Sequence, residues 1–156
     1  MNQPYQEMLS GQLLVRHAPG ARHERICARM HEILAASVAN FPGTQLLPIR
    51  TPIELKPGTR LCPDIGLIAT RTRRLWLAAE VVDSSDHRPD TVFKKQAYED
   101  WRLPRLWMID PRYDNVEVYH DTEYGLQLKH ILANQETLNE QLLPEFEVTM
   151  RHLFGA

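Results

Sequence analysis

Several features that would identify a chemistry at once are missing from this sequence. It has two cysteines, Cys27 and Cys62, far apart and without C-x-x-C spacing. That argues against a cysteine-built zinc site or a disulfide framework and suits buried thiols in a reducing cytoplasm. Its seven histidines show no H-x-x-x-H type of ligand spacing, so a zinc centre has no support. There is no G-x-S-x-G elbow, Walker loop or dinucleotide glycine pattern, which leaves acyl transfer, nucleotide hydrolysis and nicotinamide chemistry without a motif. No apolar run approaches the roughly 20 residues of a membrane span. The opening "MNQPYQEMLS" lacks the basic start and apolar stretch of a secretory signal. A cytoplasmic protein off the membrane is expected. Excess positive charge is missing too: the formal net charge is −2, so the chain is no bulk polycation for nucleic acid.

What is present is an ordinary globular composition. The 156 residues, 43% apolar and 24% charged, suit one domain over 1–156 with one real core. Charge is unevenly placed. From Arg50 to Arg74 six basic residues stand against two acidic ones; from Glu117 to Glu147 seven acidic residues stand against Lys129 alone. A basic face of that kind attracts polyanions, although scattered solvated charges read the same way.

The periodicities predict a strand over 11–17 and a helix from Ala21 to about Ala39, where Ile26, Met30, Ile33, Leu34 and Val38 recur at helical spacing. "NFPG" ends that helix. Strand pieces follow in "TQLLPIR" and "TPIELK", bent by Pro48 and Pro52. Two stronger strands, 64–70 and 75–82, are joined tightly through "RTRR" as a hairpin. A helix is expected from about Asp90 to Trp101, with Asp90 as its N-cap. An apolar strand covers 105–111. "NVEVYH" and "YGLQLKHIL" read as an antiparallel pair, and "LLPEFEVTMRHLF" as a closing segment with a short helix. Alternating strands and helices imply an α/β fold, a mixed central β-sheet flanked by helices.

One residue breaks the apolar pattern. Glu80 follows two alanines and precedes two valines in "LWLAAEVVDSSD". Strand side chains alternate faces, which groups Trp76, Ala78, Glu80 and Val82 on one face and Leu75, Leu77, Ala79 and Val81 on the other. Both faces are otherwise apolar, so the strand is expected to be central and covered on both sides. A buried acid needs a cation, either a metal or a basic side chain. The hairpin brings Asp64, at the start of the neighbouring strand, to the same end as Glu80. Two carboxylates there repel unless something positive lies between them.

The following helix offers a charge. At about 100° per residue, Lys94 falls inside the apolar arc of Phe93, Ala97, Trp101 and Tyr98, while Lys95 points away beside Glu99. Two strand carboxylates and an inward lysine have a chemical use. Mg²⁺ takes carboxylate oxygens, water and substrate phosphate as ligands; a nearby lysine orients water or meets the extra negative charge of a transition state. On this reading Arg71, Arg73 and Arg74 at the hairpin tip hold flanking phosphates.

At these residues the sequence resembles the PD-(D/E)XK nuclease superfamily: "PDIGLI" is followed by Glu80 in "AEVVDSS". The usual lysine two residues after the acid is replaced by Val82, and a lysine stands on the next helix instead. That arrangement is similar to the Uma-type family of restriction-endonuclease-like proteins. The matching set is Pro63-Asp64, Glu80-Val81, Ser84-Ser85, Asp90, Lys94, Tyr98 and "LWMIDP" through Asp110-Pro111, with His23 at the start of the first helix and "LLPEFEV" near the end. Departures are Asp83 in place of a serine, Trp101-Arg102 in place of a small residue and glycine, and Gln12 in place of an acid. The resemblance implies a restriction-endonuclease-like fold, a Mg²⁺ or Mn²⁺ site at Asp64 and Glu80, Lys94 as the partner that positions or activates water, His23 and Tyr98 near substrate, and cleavage of phosphodiester bonds in DNA. Two alternatives stand beside it: a catalytically inactive module of the same fold that binds DNA or protein, and a homodimer formed through an exposed strand edge, for which "NVEVYH" is the candidate.

Overall fold

The computed structural model describes residues 3–155. The chain opens with an antiparallel hairpin, β1 (Tyr5–Leu9) and β2 (Gln12–Arg16), one strand more than the apolar pattern predicts. Its two-residue turn places Ser10 and Gly11 at φ 49° and 81°, the signature of a type I′ turn, whose twist matches that of the strands. Helix α1 (Ala21–Val38) follows and buries Ile26, Cys27, Met30 and Leu34 along one stripe. Then come β3 (Thr44–Leu46), β4 (Ile53–Lys56), β5 (Thr59–Leu61), β6 (Ile65–Ala69) and β7 (Leu75–Val81). A π-helical turn over Pro89–Lys94 runs straight into α2 (Lys95–Trp101). The remainder is β8 (Arg105–Asp110), β9 (Asn115–Thr122), β10 (Gly125–Ala133), β11 (Thr137–Glu140), β12 (Leu143–Thr149) and α3 (Met150–Phe154).

A six-stranded sheet, ordered β10-β9-β8-β7-β6-β3, forms the centre. Among its described pairs β7–β8 alone is parallel, because there a helical crossover joins two neighbouring strands of the sheet. A second sheet is ordered β2-β1-β5-β4, and β11 pairs with β12. One face of the large sheet packs its Leu67, Leu77, Ala79, Val81, Trp107 and Ile109 against α1, α3 and β12. The other face packs Ile68, Ala78, Val82, Leu106 and Met108 against Tyr98 of α2 and Leu61 of the small sheet. The mixed sheet flanked by helices is therefore as the sequence implies.

The closing segment ends in the expected short helix, α3, which the strand β12 precedes. Two local expectations are corrected. β9, the proposed exposed edge, is interior: it pairs with β8 on one side and β10 on the other. A β-bulge interrupts β7, where Leu67 faces Leu77 but Ile68 faces Leu75. Trp76 is the extra residue, so strict alternation fails there, and Trp76 joins the α1 face with Leu77. Beyond the bulge alternation resumes, and Glu80 lies on the α2 face with Ala78 and Val82.

Candidate active site

Asp64 precedes β6 and Glu80 is the penultimate residue of β7, and the antiparallel register that pairs Ile65 with Ala79 sets the two acids opposite each other. Both are buried, at 2% and 1% exposure. Lys94 ends the π-helical turn and is wholly buried. Its Nζ donates to Glu80 Oε1 at 2.8 Å, and the Tyr98 hydroxyl, one turn on, donates to Glu80 Oε2 at 2.5 Å. Asp64 Oδ2 accepts from the backbone N–H of Val81 at 2.8 Å, and Oδ1 from Arg50 at 2.8 Å. Asp64, Glu80 and Lys94 are thus gathered at one end of β6 and β7.

The N-terminal hairpin completes the cluster. Lys94 Nζ also lies 2.7 Å from Glu7 Oε2 on β1. Glu7 Oε1 accepts from Arg16 of β2 at 2.7 Å, and Arg16 clasps both oxygens of Asp90 at 3.0 Å. Asp90 is no N-cap: it makes no capping bond, and its Oδ2 accepts instead from the N–H of Asp83 at 3.1 Å. Arg50 reaches from Asp64 to Glu24 of α1 at 2.6 Å. Sequence reasoning missed Glu7 and Arg16. The signal was available, since each is a lone charge in a short apolar strand, the same anomaly that singles out Glu80.

Charge is unbalanced in this interior. Four buried carboxylates (Glu7, Asp64, Glu80, Asp90) meet two buried cations, Arg16 and Lys94, with Arg50 at the rim. The titration behaviour follows. Burial pushes Glu80 up, and the repulsion of Asp64, Asp90 and Glu7 adds to it; together they outweigh Lys94 and raise Glu80 to about 8. Burial alone would lift Asp64 as well, but a hydrogen bond and charge from His23, with the charges of Lys94 and Arg50, hold it at about 2. Burial opposes the charge on Lys94, yet Glu7, Glu80 and Asp90 raise its pKa well above the ordinary value. Lys94 therefore stands as an ammonium donor to these acids at neutral pH.

A cleft of about 410 Å³ opens beside the cluster, lined by Tyr5, Arg16, His17, Arg22, His23 and the 83–85 loop, among others. Tyr5 lines the cleft, and its ring stands 5.7 Å from the Arg16 guanidinium and 5.8 Å from that of Arg50. His23, at the first turn of α1, points its Nε2 at the carbonyl of Val81 (2.7 Å) with Asp64 Oδ2 at 3.5 Å.

Two expectations about substrate contact fail on geometry. Tyr98 is fully buried and its hydroxyl is committed to Glu80, so it positions the acid and meets no substrate. Arg71, Arg73 and Arg74 lie at the hairpin tip, the opposite end of β6 and β7 from Asp64 and Glu80. Five strand residues separate the two ends, roughly 16 Å. Arg73 bonds Gln45, and Arg74 bonds the Trp101 carbonyl and stacks on its ring. The basic groups at the acids are instead Lys94 on Glu80, Arg50 and His23 on Asp64, and Arg16 on Glu7 and Asp90.

His23, Cys27 and Asp64 also come within 4.8 Å of one another through one ligand atom each. Arg50 already sits 2.8 Å from Asp64 and 3.9 Å from the Cys27 sulfur, and burial holds the thiol protonated by raising its pKa well above the usual range. That group is a hydrogen-bonded cluster served by a guanidinium. Asp64 of that group and Glu80 opposite it are buried and carry oxygen donors of the kind that hard divalent ions take.

The comparisons agree with this architecture. A sequence model of the Uma2 family, described as "Putative restriction endonuclease", matches residues 2–151. A solved structure from Anabaena variabilis ATCC 29413, described as "a putative nuclease belonging to DUF820", superposes with a TM-score of 0.80 at 12% identity, covering 97% of this chain and 90% of that one. At that identity the likeness establishes the fold. No curated protein gives a significant match. Matched over nearly its whole length, this chain belongs to the Uma2 family.

Proposed function

We propose that the chain is a divalent-metal-dependent nuclease that hydrolyses phosphodiester bonds in DNA, with Asp64 and Glu80 holding Mg²⁺ or Mn²⁺. The observation that carries this reading is the excess of buried carboxylates over buried cations beside an open cleft with a basic wall. Family membership and the fold support it. Bound there, a divalent ion supplies electrostatic stabilisation for charge gathering on a phosphate oxygen.

The chain's own residues do the rest. Lys94, a fixed cation, keeps one oxygen of Glu80 in place, and Tyr98 fixes the other. Two of the three ammonium protons of Lys94 go to Glu80 and Glu7, and the third, with Asp90 Oδ1 at 3.9 Å, is the one left to orient a water once the buried cluster opens to substrate. Arg50 and the Val81 N–H hold Asp64 deprotonated. Arg22 and His23 lie on the cleft wall; a phosphate there would have to draw Arg22 from the Pro111 carbonyl and Asp114, and His23 from the Val81 carbonyl, and such contacts fix a nucleic acid in place without reading its sequence.

One observation favours a non-catalytic DNA-binding or protein-binding module: every oxygen of Asp64 and Glu80 already has a partner within the protein. Incubation with plasmid and single-stranded DNA in Mg²⁺ or Mn²⁺ separates the two. The nuclease reading expects metal-dependent cleavage that Glu80→Gln abolishes, with calorimetric Mn²⁺ binding lost in the same variant. DNA bound without cleavage, and no Mn²⁺ uptake, would leave the module.

A further inference from the structure

Sheet edges expose unpaired N–H and C=O groups, and proteins guard them with bulges, prolines, lysines or brevity. Among the described residues most edges here are guarded. β10 carries a bulge at Lys129. β4 follows Pro52, ends at Lys56 and has its own bulge. β3 is three residues long. β11 has a bulge, and β12 carries Pro144, Glu145 and Glu147. β2 is the exception. It pairs with β1 over five residues without a register shift, has its other side open in the sheet order, and turns its one charge, Arg16, inward. On its outer face Leu13 and Val15 are 57% and 63% exposed, and Phe93, 46% exposed, shares a shallow cleft with Leu13 and Leu14.

We propose that β2 is the self-association edge of this protein and that its occupant is β2 of a second copy, antiparallel across a two-fold axis through Leu14. The strand is complementary to itself in that register. Leu13 meets the other copy's Val15 on the exposed face, Leu14 meets Leu14, and Gln12 meets Arg16, so no like charges are opposed. The hydrogen bonding fits as well. In a two-residue hairpin the residues flanking the turn, Leu9 and Gln12, are a hydrogen-bonded pair. Gln12, Leu14 and Arg16 therefore spend their main-chain groups on β1, and Leu13 and Val15 direct theirs at the open edge. The proposed register sets Leu13 opposite Val15, the pair able to exchange N–H···O=C bonds. Pairing continues the small sheet across both copies. The contact is small, so association is concentration-dependent, with Kd in the micromolar range. This proposal stands apart from the catalytic reading.

Sedimentation of the full chain across the micromolar range tests it. The wild type is expected to shift from monomer to dimer mass, and Leu13→Lys/Val15→Lys to remain monomeric with its melting profile kept. Ile131→Lys, on the exposed face of β10, should leave the dimer intact. Should the lysine pair misfold, a cross-link decides. Residues in a hydrogen-bonded antiparallel pair have Cα atoms about 5.5 Å apart, within disulfide range. Leu13→Cys/Val15→Cys should then give a covalent dimer on mild oxidation, since both native thiols are buried. A wild type that stays monomeric, a dimer that survives the lysine pair, or a cysteine pair that never cross-links overturns the proposal.

Discussion

The two ends of the β6–β7 hairpin carry similar numbers of charges and treat them oppositely. At the tip, Arg71, Arg73 and Arg74 are exposed and held by little beyond Gln45 and Trp101. At the other end Asp64 and Glu80 are buried, and every oxygen is matched to a named donor. The tip's charges are solvated and interchangeable. The interior charges are interdependent, so each fixes the ionisation of its neighbours. Charge count along a chain therefore says little about which charges do chemistry; burial and pairing do.

Breaking the buried end should cost far more than trimming the exposed one. Lys94→Met strands Glu7 and Glu80 without their shared cation, and removal of one partner from a buried pair costs about 3–5 kcal/mol. Urea unfolding at pH 7 should register that loss, and a change under 1 kcal/mol would remove Lys94 from the centre of the cluster. Acid titration comes next. Asp64 has a folded pKa of about 2, below the ordinary 3.8, so its contribution is present above pH 4 and lost as pH falls toward 2. The loss is on the order of 2 kcal/mol, and Asp64→Asn should abolish that limb of the stability profile.

Glu80 has the opposite sign. Its folded pKa of about 8 lies above the ordinary 4.5, so the folded state holds a proton that the unfolded chain releases. Stability should decline as pH rises from 4.5 to 8, and Glu80→Gln should flatten that decline. Tyr98→Phe removes one buried hydrogen bond and leaves Glu80 Oε2 without its donor, about 1–3 kcal/mol, readable in the same unfolding experiment. At the tip, Arg74→Ala deletes an exposed cation–π contact and should shift stability by about 0.5–1 kcal/mol, with DNA cleavage unchanged. A large loss of cleavage in Arg74→Ala would erase the contrast between the two ends.

Much of this site was legible in advance because its signals are local. A lone acid in an apolar strand, an acid opposite it across a tight hairpin, and a lysine on the inner arc of the next helix needed only pattern and register. What failed depended on the third dimension. The bulge at Trp76 exchanges the faces of two side chains, Leu75 and Trp76, without altering composition. The π-helical turn at Pro89–Lys94 widened the first turn, so Phe93, placed inward at a regular helical pitch, is exposed. Glu7 and Arg16 went unread because β1 alternates weakly and lies 73 residues before Glu80 in the chain. The tip arginines were assigned to phosphate by charge alone, without counting strand length.

The β7–β8 pair is parallel, and the crossover between its strands carries Asp90, Lys94 and Tyr98. Glu80 therefore has no counter-charge until β8 has docked, a long-range event that is slow compared with closing the β6–β7 hairpin. During folding the acid waits in water, and the cluster seals only when hairpin, crossover and β8 are together. Loss of Lys94 should then leave the refolding rate nearly untouched and appear as faster unfolding.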